Sequence, residues 1–494
     1  MLRRFTPPSA RPDSPDVVPH QQLHPDTSVK PVRQIVTRRS AAQAFAAGAV
    51  LVPLLPSLAE AKGAHATSVP HPGRYQPGRP GVDYQPTEVP NGYKLPFIVR
   101  DGVKIFELVI DEFDHEFMPG LTARVWGFNG IGSGAAIEAV EGDHVRIYVT
   151  NKLAAPTSVH WHGFILPSGM DGVGGLSQPN IPPGETWVYE FPLVQHGTLM
   201  FHAHHDEMVQ MGLGLTGLFI IHPRRRPSNP ADRDFALLIH EWKIRPGARR
   251  PDPSEMTDFN IFTLNGKVFP ATEPLVARTG QKVRIRFANL GMQNHHPMHI
   301  HGYSWLVVET DGGVIPEAGR WPETTVLVPV GTTRTVEFDA DYVGDWAMHC
   351  HMLHHLMNQM GHGLPNVIGV DPKDLEARVQ DLIPGAMIMG TDGMGDHGQH
   401  VSAGHMAVPE NSVPMVGGEG PRGYIPMGGL MTVVKVRDGI TSYADPGWYQ
   451  NPPGTEARRA SPEEIARDGI GTPERAQAPQ STAPATSPAH AGHP

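Results

Sequence analysis

The sequence has a single cysteine, Cys350, in 494 residues. One thiol excludes a disulfide framework, a zinc ribbon and a Cys-ligated iron–sulfur cluster. There is no excess of positive charge either. The formal net charge is −10, which argues against a nucleic-acid partner whose phosphates must be neutralised. Long apolar runs are also missing. The weakly apolar stretch Ala41 to Leu58 is broken by Pro53 and Pro56 and falls short of the about 20 residues a spanning helix needs. What the chain has in quantity is 54 glycines and 51 prolines, about a fifth of its residues, which favours short strands and turns over helix bundles. It also has 28 histidines and 20 methionines. Imidazole and thioether are transition-metal ligands, so a metal site is the first chemistry to look for.

Along the chain, residues 1–61 read as an export signal. Arg38 and Arg39 precede the apolar stretch, which ends in small residues around Ala59-Glu60-Ala61. The paired arginines point to the twin-arginine route. The expected destination is the periplasm or the medium, with no stable membrane insertion once the signal is cleaved. Residues 62–94 form an extended arm rich in Pro, Gly and His. Residues 95–222 and 223–371 are two all-β domains. Their β-rich runs are Val145 to Val149, Leu218 to Ile221 and Val283 to Phe287, among others, with turn signals at short spacing. His222 to Asp234 reads as the linker between them. Residues 372–446 form a Met/His/Gly-rich extension with one helical pattern, Pro372 to Leu382, and one strand, Met431 to Val436. From 447 to 494 the Pro/Ala/Ser/Thr composition predicts disorder.

The two domains are copies of one unit. Gly142 to Asn151 aligns with Gly280 to Asn289, and each segment is followed by His-x-His-Gly, at His160–His162 and His299–His301. Gly184 and Gly331 each stand six residues before Glu190 and Glu337. Each also stands 18 residues before a second His-x-His, at His202–His204 and His349–His351. On a strand, residues i and i+2 share one face, so both imidazoles of a pair can enter one cavity. One pair is weak evidence. Four pairs at equivalent positions offer eight imidazoles, too many for one ion and suited to a cluster of two or three.

The second copy carries more. His355 and Met360 lie five and ten residues after Cys350, and His296 lies three before His299. One thiolate, two imidazoles and a thioether make the ligand set of a blue electron-transfer copper. The plainer alternative makes Cys350 a small buried hydrophobe and Met360 a core filler. The first copy has Ala203, Met208, Leu213 and Thr157 at the matching positions, so it cannot hold such a copper. Cys350 lies between two cluster histidines, one residue from each.

These motifs resemble the four copper motifs of the multicopper oxidases, over roughly residues 95–370. The resemblance implies two Greek-key cupredoxin β-sandwiches and four coppers. His296, Cys350, His355 and Met360 would hold type 1. His160 and His299 would hold type 2. His162, His202, His204, His301, His349 and His351 would hold the type 3 pair. Such enzymes take electrons one at a time from a donor and reduce O2 to water at the trinuclear cluster. The implied partners are O2 and a small donor: a phenol, an aromatic amine, or a metal ion such as Cu(I) or Mn(II). Only 94 residues separate His202 from His296, so no middle domain intervenes. This is similar to the two-domain laccases, with type 1 copper in the second domain and a homotrimeric assembly. Asp171, nine residues after His162, matches an acid that the family places near the cluster to relay protons; otherwise it is a turn aspartate before glycine. The position of a second acid, after the type 1 histidine, is Leu356. Two other readings stay open. One is a copper-sequestering or copper-resistance protein, suggested by Met387, Met389, Met394, His397, His400, His405, Met406, Met415, Met427 and Met431. The other is a copper nitrite reductase, which shares the trimeric two-domain plan but keeps type 1 copper in its first domain.

Overall fold

The computed structural model describes residues 75–359, 410–414 and 417–471. The expected export signal, Met360, the 372–382 helical pattern and the extension's Met/His residues before Met427 lie outside the described residues. No helix among the described residues is long and apolar enough to cross a membrane.

The first domain contains β1 (Tyr93–Lys94), β2 (Phe97–Arg100), β3 (Val103–Met118), β4 (Leu121–Phe128), β5 (Ala135–Val140), β6 (His144–Asn151), β7 (Val159–His162), β8 (Thr186–Pro192), β9 (Gly197–Ala203) and β10 (Thr216–His222). One sheet runs β1-β5-β10-β9-β7. The other runs β2-β3-β6-β8, with β4 on β3. The alternation in β6 puts Val145, Ile147 and Val149 inward. They meet Trp161, Phe201 and Phe219 of the facing sheet in one core. Both sheets are mixed, because β3 pairs with β6 and β5 with β10 in parallel.

The second domain repeats this plan with β11 (Arg233–Trp242), β12 (Ile261–Leu264), β13 (Leu275–Arg278), β14 (Lys282–Asn289), β15 (His296–Ile300), β16 (Trp305–Thr310), β17 (Gly313–Val314), β18 (Trp321–Glu323), β19 (Thr325–Val328), β20 (Thr332–Asp339) and β21 (Gly344–Cys350). A small hairpin, β22 (Gly418–Gly420) and β23 (Gly423–Ile425), precedes β24 (Met431–Arg437). The site-bearing sheet runs β13-β24-β21-β15-β19.

β24 differs from the sequence reading of domain two, which stops at 371. The strand lies antiparallel to β21 and parallel to β13, as β10 lies on β9 and β5. It is therefore the closing strand of the second sandwich, and Val434 and Val436 fill its core. The Met/His/Gly-rich segment is an insertion before that strand, so composition hid the boundary. Met427 and Met431 pack on Phe269 and Val433.

Residues 447–471 also differ from the predicted disorder. Arg437 Nη2 donates to the Gly447 carbonyl at 2.7 Å, and Lys435 Nζ lies 4.6 Å from the Trp448 ring. The Tyr449 backbone N–H donates to Asp345 at 2.7 Å. A helix, Pro462–Arg467, starts at Ser461 with a capping box closed by Glu464. Local anchors outweigh the proline count here.

The domains meet along β9 and β14. Apolar residues of both, including Met200, Leu218, Leu238 and Ala288, share one cluster. Beside it Arg286 makes two 2.8 Å bonds to Asp234, and its Nη1 donates to Thr198 Oγ1 at 2.9 Å. Arg286 and Asp234 are both buried, so the charge is paired where it is desolvated.

Candidate metal centres

In domain one, His160 and His162 alternate on β7, and His160 stands opposite His202 of β9 in the antiparallel register. The pleat turns them to one face, with His204 just beyond the strand. The rings of His162, His202 and His204 lie 5.7, 5.3 and 5.4 Å from that of His160. His162 Nδ1 faces His202 Nε2 at 3.3 Å.

Backbone carbonyls fix several of these rings. His202 Nδ1 donates to the Ala203 carbonyl at 2.9 Å, which leaves Nε2 bare toward the cluster. His160 Nδ1 donates to the Asp171 carbonyl at 2.8 Å, and Asp171 Oδ1 lies 3.4 Å from the same nitrogen. That close approach needs Gly172, where a Cβ would come within 1.7 Å of the Val159 carbonyl oxygen. Burial pushes the His202 pKa down to about 3. Burial lowers that of His162 as well. Neutral imidazoles have the lone pairs a metal requires.

Domain two repeats the arrangement. His299 of β15 faces His349 of β21. The rings of His301, His349 and His351 lie 5.0, 5.7 and 5.6 Å from that of His299. His301 Nε2 and His349 Nε2 are 3.1 Å apart. His349 Nδ1 donates to the Cys350 carbonyl at 2.8 Å, and His299 Nδ1 to that of Thr324 at 2.8 Å. Burial is the main cause of the lowered pKa of His301 and His349. Among the described residues, the ring contacts of these histidines stay within their own quartet.

The third group is His296, Cys350 and His355, each with 0% exposure. Their donor atoms lie within 4.8 Å of one another. His296 Nδ1 and His355 Nδ1 are 3.1 Å apart, and Cys350 Sγ lies 3.8 and 3.4 Å from them. Phe262 lies against His355 at 4.1 Å between ring centroids. Burial pushes the Cys350 thiol up to about 12. A metal cation in this focus would favour the thiolate, and one sulfur with two imidazole nitrogens in a dry pocket suits copper. Leu356 is buried in the Phe269–Met431 cluster and brings no acid.

Sequence reasoning missed two acids. Glu207 Oε1 lies 2.9 Å from His204 Nδ1. Glu241 Oε1 lies 3.4 Å from His296 Nε2. Glu207 carries a signal, its i,i+3 spacing from a motif histidine. Glu241 carries a fainter one, an acid ending the apolar run Phe235–Ile239.

Two multicopper oxidase family models match the chain, at residues 110–226 and 245–368. Among curated relatives, a probable nitrite reductase–hydroxylamine oxidoreductase fusion protein of Kuenenia stuttgartiensis is 28% identical over 272 residues, which is 53% of this chain and 31% of that protein. Copper resistance protein A of Escherichia coli is 28% identical over 232 residues, 37% of this chain and 38% of that protein. The matched segment thus spans about a third of the length of these relatives. Among solved structures, the multicopper oxidase mgLAC superposes with a TM-score of 0.50 at 25% identity, covering 70% of this chain and 91% of that one. With its histidine motifs gathered on two cupredoxin-type domains, the chain belongs to the multicopper oxidase family.

Proposed function

We propose that the chain is a copper oxidase of the two-domain laccase type. It couples one-electron oxidation of a donor to four-electron reduction of O2 to water. The observation that carries this reading is the junction at Cys350. Its thiol meets two buried imidazoles, while the flanking His349 and His351 belong to a histidine quartet. Bound copper would supply electron acceptance at the first group and O2 chemistry at the second. The protein's part is to hold His202 and His349 in the Nδ1–H tautomer through backbone carbonyls, to release the Cys350 thiol proton on metal uptake, and to keep His296 and His355 out of water. Asp171, beside His160 and about a third exposed, is the proposed proton donor to the cluster. The size match to mgLAC supports the two-domain type.

Each quartet is half of an eight-histidine site. We read the missing half as the other domain of a neighbouring chain in a closed homotrimer. The paired arginines before Ala41 support export to the periplasm or the medium, which fractionation of the producing cells would test.

The deciding experiment is oxygen uptake by the copper-loaded protein against phenols, aromatic amines, Cu(I) and Mn(II). Steady consumption with any donor supports the oxidase. The likeness to copper resistance protein A favours copper handling as a second reading, marked by stoichiometric Cu(I) binding without turnover. Nitric oxide release from nitrite would instead point to the activity named for the Kuenenia relative.

A further inference from the structure

Glu241 is a fully buried acid with no role in the copper chemistry proposed for the chain. It sits on β11, in the sheet that does not carry the ligands, and reaches across toward the Cys350 pocket. Both of its oxygens are engaged. Oε1 accepts the Asn294 backbone N–H at 2.8 Å, and Oε2 accepts Asn294 Nδ2–H at 2.8 Å. Oε1 also lies 3.4 Å from Nε2 of His296. That nitrogen is buried and makes no hydrogen bond in this geometry, a costly state for an N–H. The other nitrogen of the ring, Nδ1, points at Cys350 and His355.

The surroundings are shaped around this carboxylate. A Cβ at Gly291 would fall 2.3 Å from Oε1, so glycine is required there. The adjacent His240 donates from Nδ1 to the Leu290 carbonyl at 2.6 Å. Two consecutive residues of β11 thus clamp the 290–295 loop that delivers His296. His202 and His349 turn their outer nitrogens to backbone carbonyls, whereas His204 faces the Glu207 carboxylate and His296 faces that of Glu241. Of these two acids only Glu241 is fully buried.

We infer that Glu241 is a positioning residue for His296: as a carboxylate it accepts the Nε2–H, holds Nδ1 toward the metal focus and sets the redox poise of the site. This rests on the reading of His296, Cys350 and His355 as copper ligands. A carboxylate behind a metal-bound imidazole raises its basicity and favours the more positive metal state. Removing the charge should favour the reduced state.

The test uses the copper-loaded full chain. Glu241→Gln should keep the blue band and the copper content. At a fixed solution potential its oxidised-to-reduced ratio should fall about tenfold, which is about 59 mV upward for a one-electron couple. Glu241→Asp keeps the charge but withdraws the oxygen by one methylene. It should shift the potential the same way by less, and alter the histidine nitrogen couplings in pulsed EPR. It also serves if the glutamine variant does not fold. A blue wild type with unchanged potential and couplings in a folded variant would overturn this inference alone. A wild type that binds copper with no blue band would overturn the ligand reading, and this inference with it.

Discussion

The two cupredoxin domains hold the same frame around different contents. Asn151 and Asn289 end matching strands and make matching bonds. Asn151 Nδ2 donates to the Ala155 and Ile181 carbonyls, and Asn289 Nδ2 to those of Asn294 and Val328. The Oδ1 of each accepts a backbone N–H two residues on, from Leu153 and Gly291. The cross-strand pairs Arg146–Glu190 and Arg284–Glu337 also correspond. The pocket at the end of that frame does not. In domain two it holds His296, Cys350 and His355. In domain one Thr157 stands at the His296 position, and its Oγ1 donates to Gln210 Oε1 at 2.7 Å, while Ala203 replaces the thiol. A closed hydrogen bond fills the space that the other copy gives to three donor atoms. The frame needs strand ends, caps and a core, and these tolerate either filling. The same frame thus accepts either a donor-atom pocket or a closed polar contact.

The largest effect tests that asymmetry. Cys350→Ser should abolish the blue absorption and the oxidase activity while copper remains at the histidine cluster. Cys350 is the only thiol in the chain, so persistence of the blue band would show that it does not arise from a thiolate–copper bond and would break the comparison. Next comes complementation between the quartets. Chains with His162→Ala and chains with His301→Ala should each be inactive alone. After unfolding and refolding together, roughly a quarter of sites in randomly mixed trimers should recover, because each intact quartet then meets one from a neighbour. No recovery despite proven mixing would mean that each chain builds its own cluster.

Acid should separate the copper-free protein from its neutral state in a defined window. The His202 pKa falls from 6.5 to about 3 on burial, and that of His115, buried at the domain seam, to about 4. Below pH 6.5 the unfolded chain takes up protons that these folded rings refuse. Stability therefore falls as the pH drops from 6.5 toward 3, and is flat with respect to these groups above 6.5. Denaturant midpoints of the copper-free protein between pH 7.5 and 4.5 measure this. A flat profile would mean that the quartets are wetter than this packing allows.

The repeat, the quartets and the His296–Cys350–His355 group were legible because strand periodicity and fixed spacing are local properties. Four His-x-His pairs at matching offsets need no tertiary knowledge to stand out. Residue pattern marks the closing strand β24 as a strand but does not join it to domain two. A chain of 80 residues separates Met431 from Cys350, and pairing across such a gap leaves no local trace. Glu241 went unseen for a related reason. It comes from the opposite sheet, 55 residues before His296, and only packing brings them together. The order of the 447–471 segment escapes composition, which counts prolines and glycines but not the single contacts, such as Tyr449 on Asp345, that hold a strap in place.

The smallest effect is the sharpest comparison of the two copies. Asn151→Ala and Asn289→Ala remove the same bonds from the same place in each frame. Each leaves one buried carbonyl, one half-buried carbonyl and one N–H without their side-chain partner, so each should cost about 1–3 kcal/mol in stability. Their functional consequences should differ. The loop held by Asn151 leads to Thr157 and its closed bond with Gln210, and loosening it should leave the blue band unchanged. The loop held by Asn289 runs through Gly291 and Asn294 to His296. Its release frees both the ligand and the Asn294 donors that fix Glu241, so the blue band should broaden and its potential move. Chemical denaturation and visible spectroscopy on the two copper-loaded variants check the pair. Equal losses of stability with equal spectra would show that the frame does not steer the metal pocket, and that the correspondence of the two asparagines is structural only.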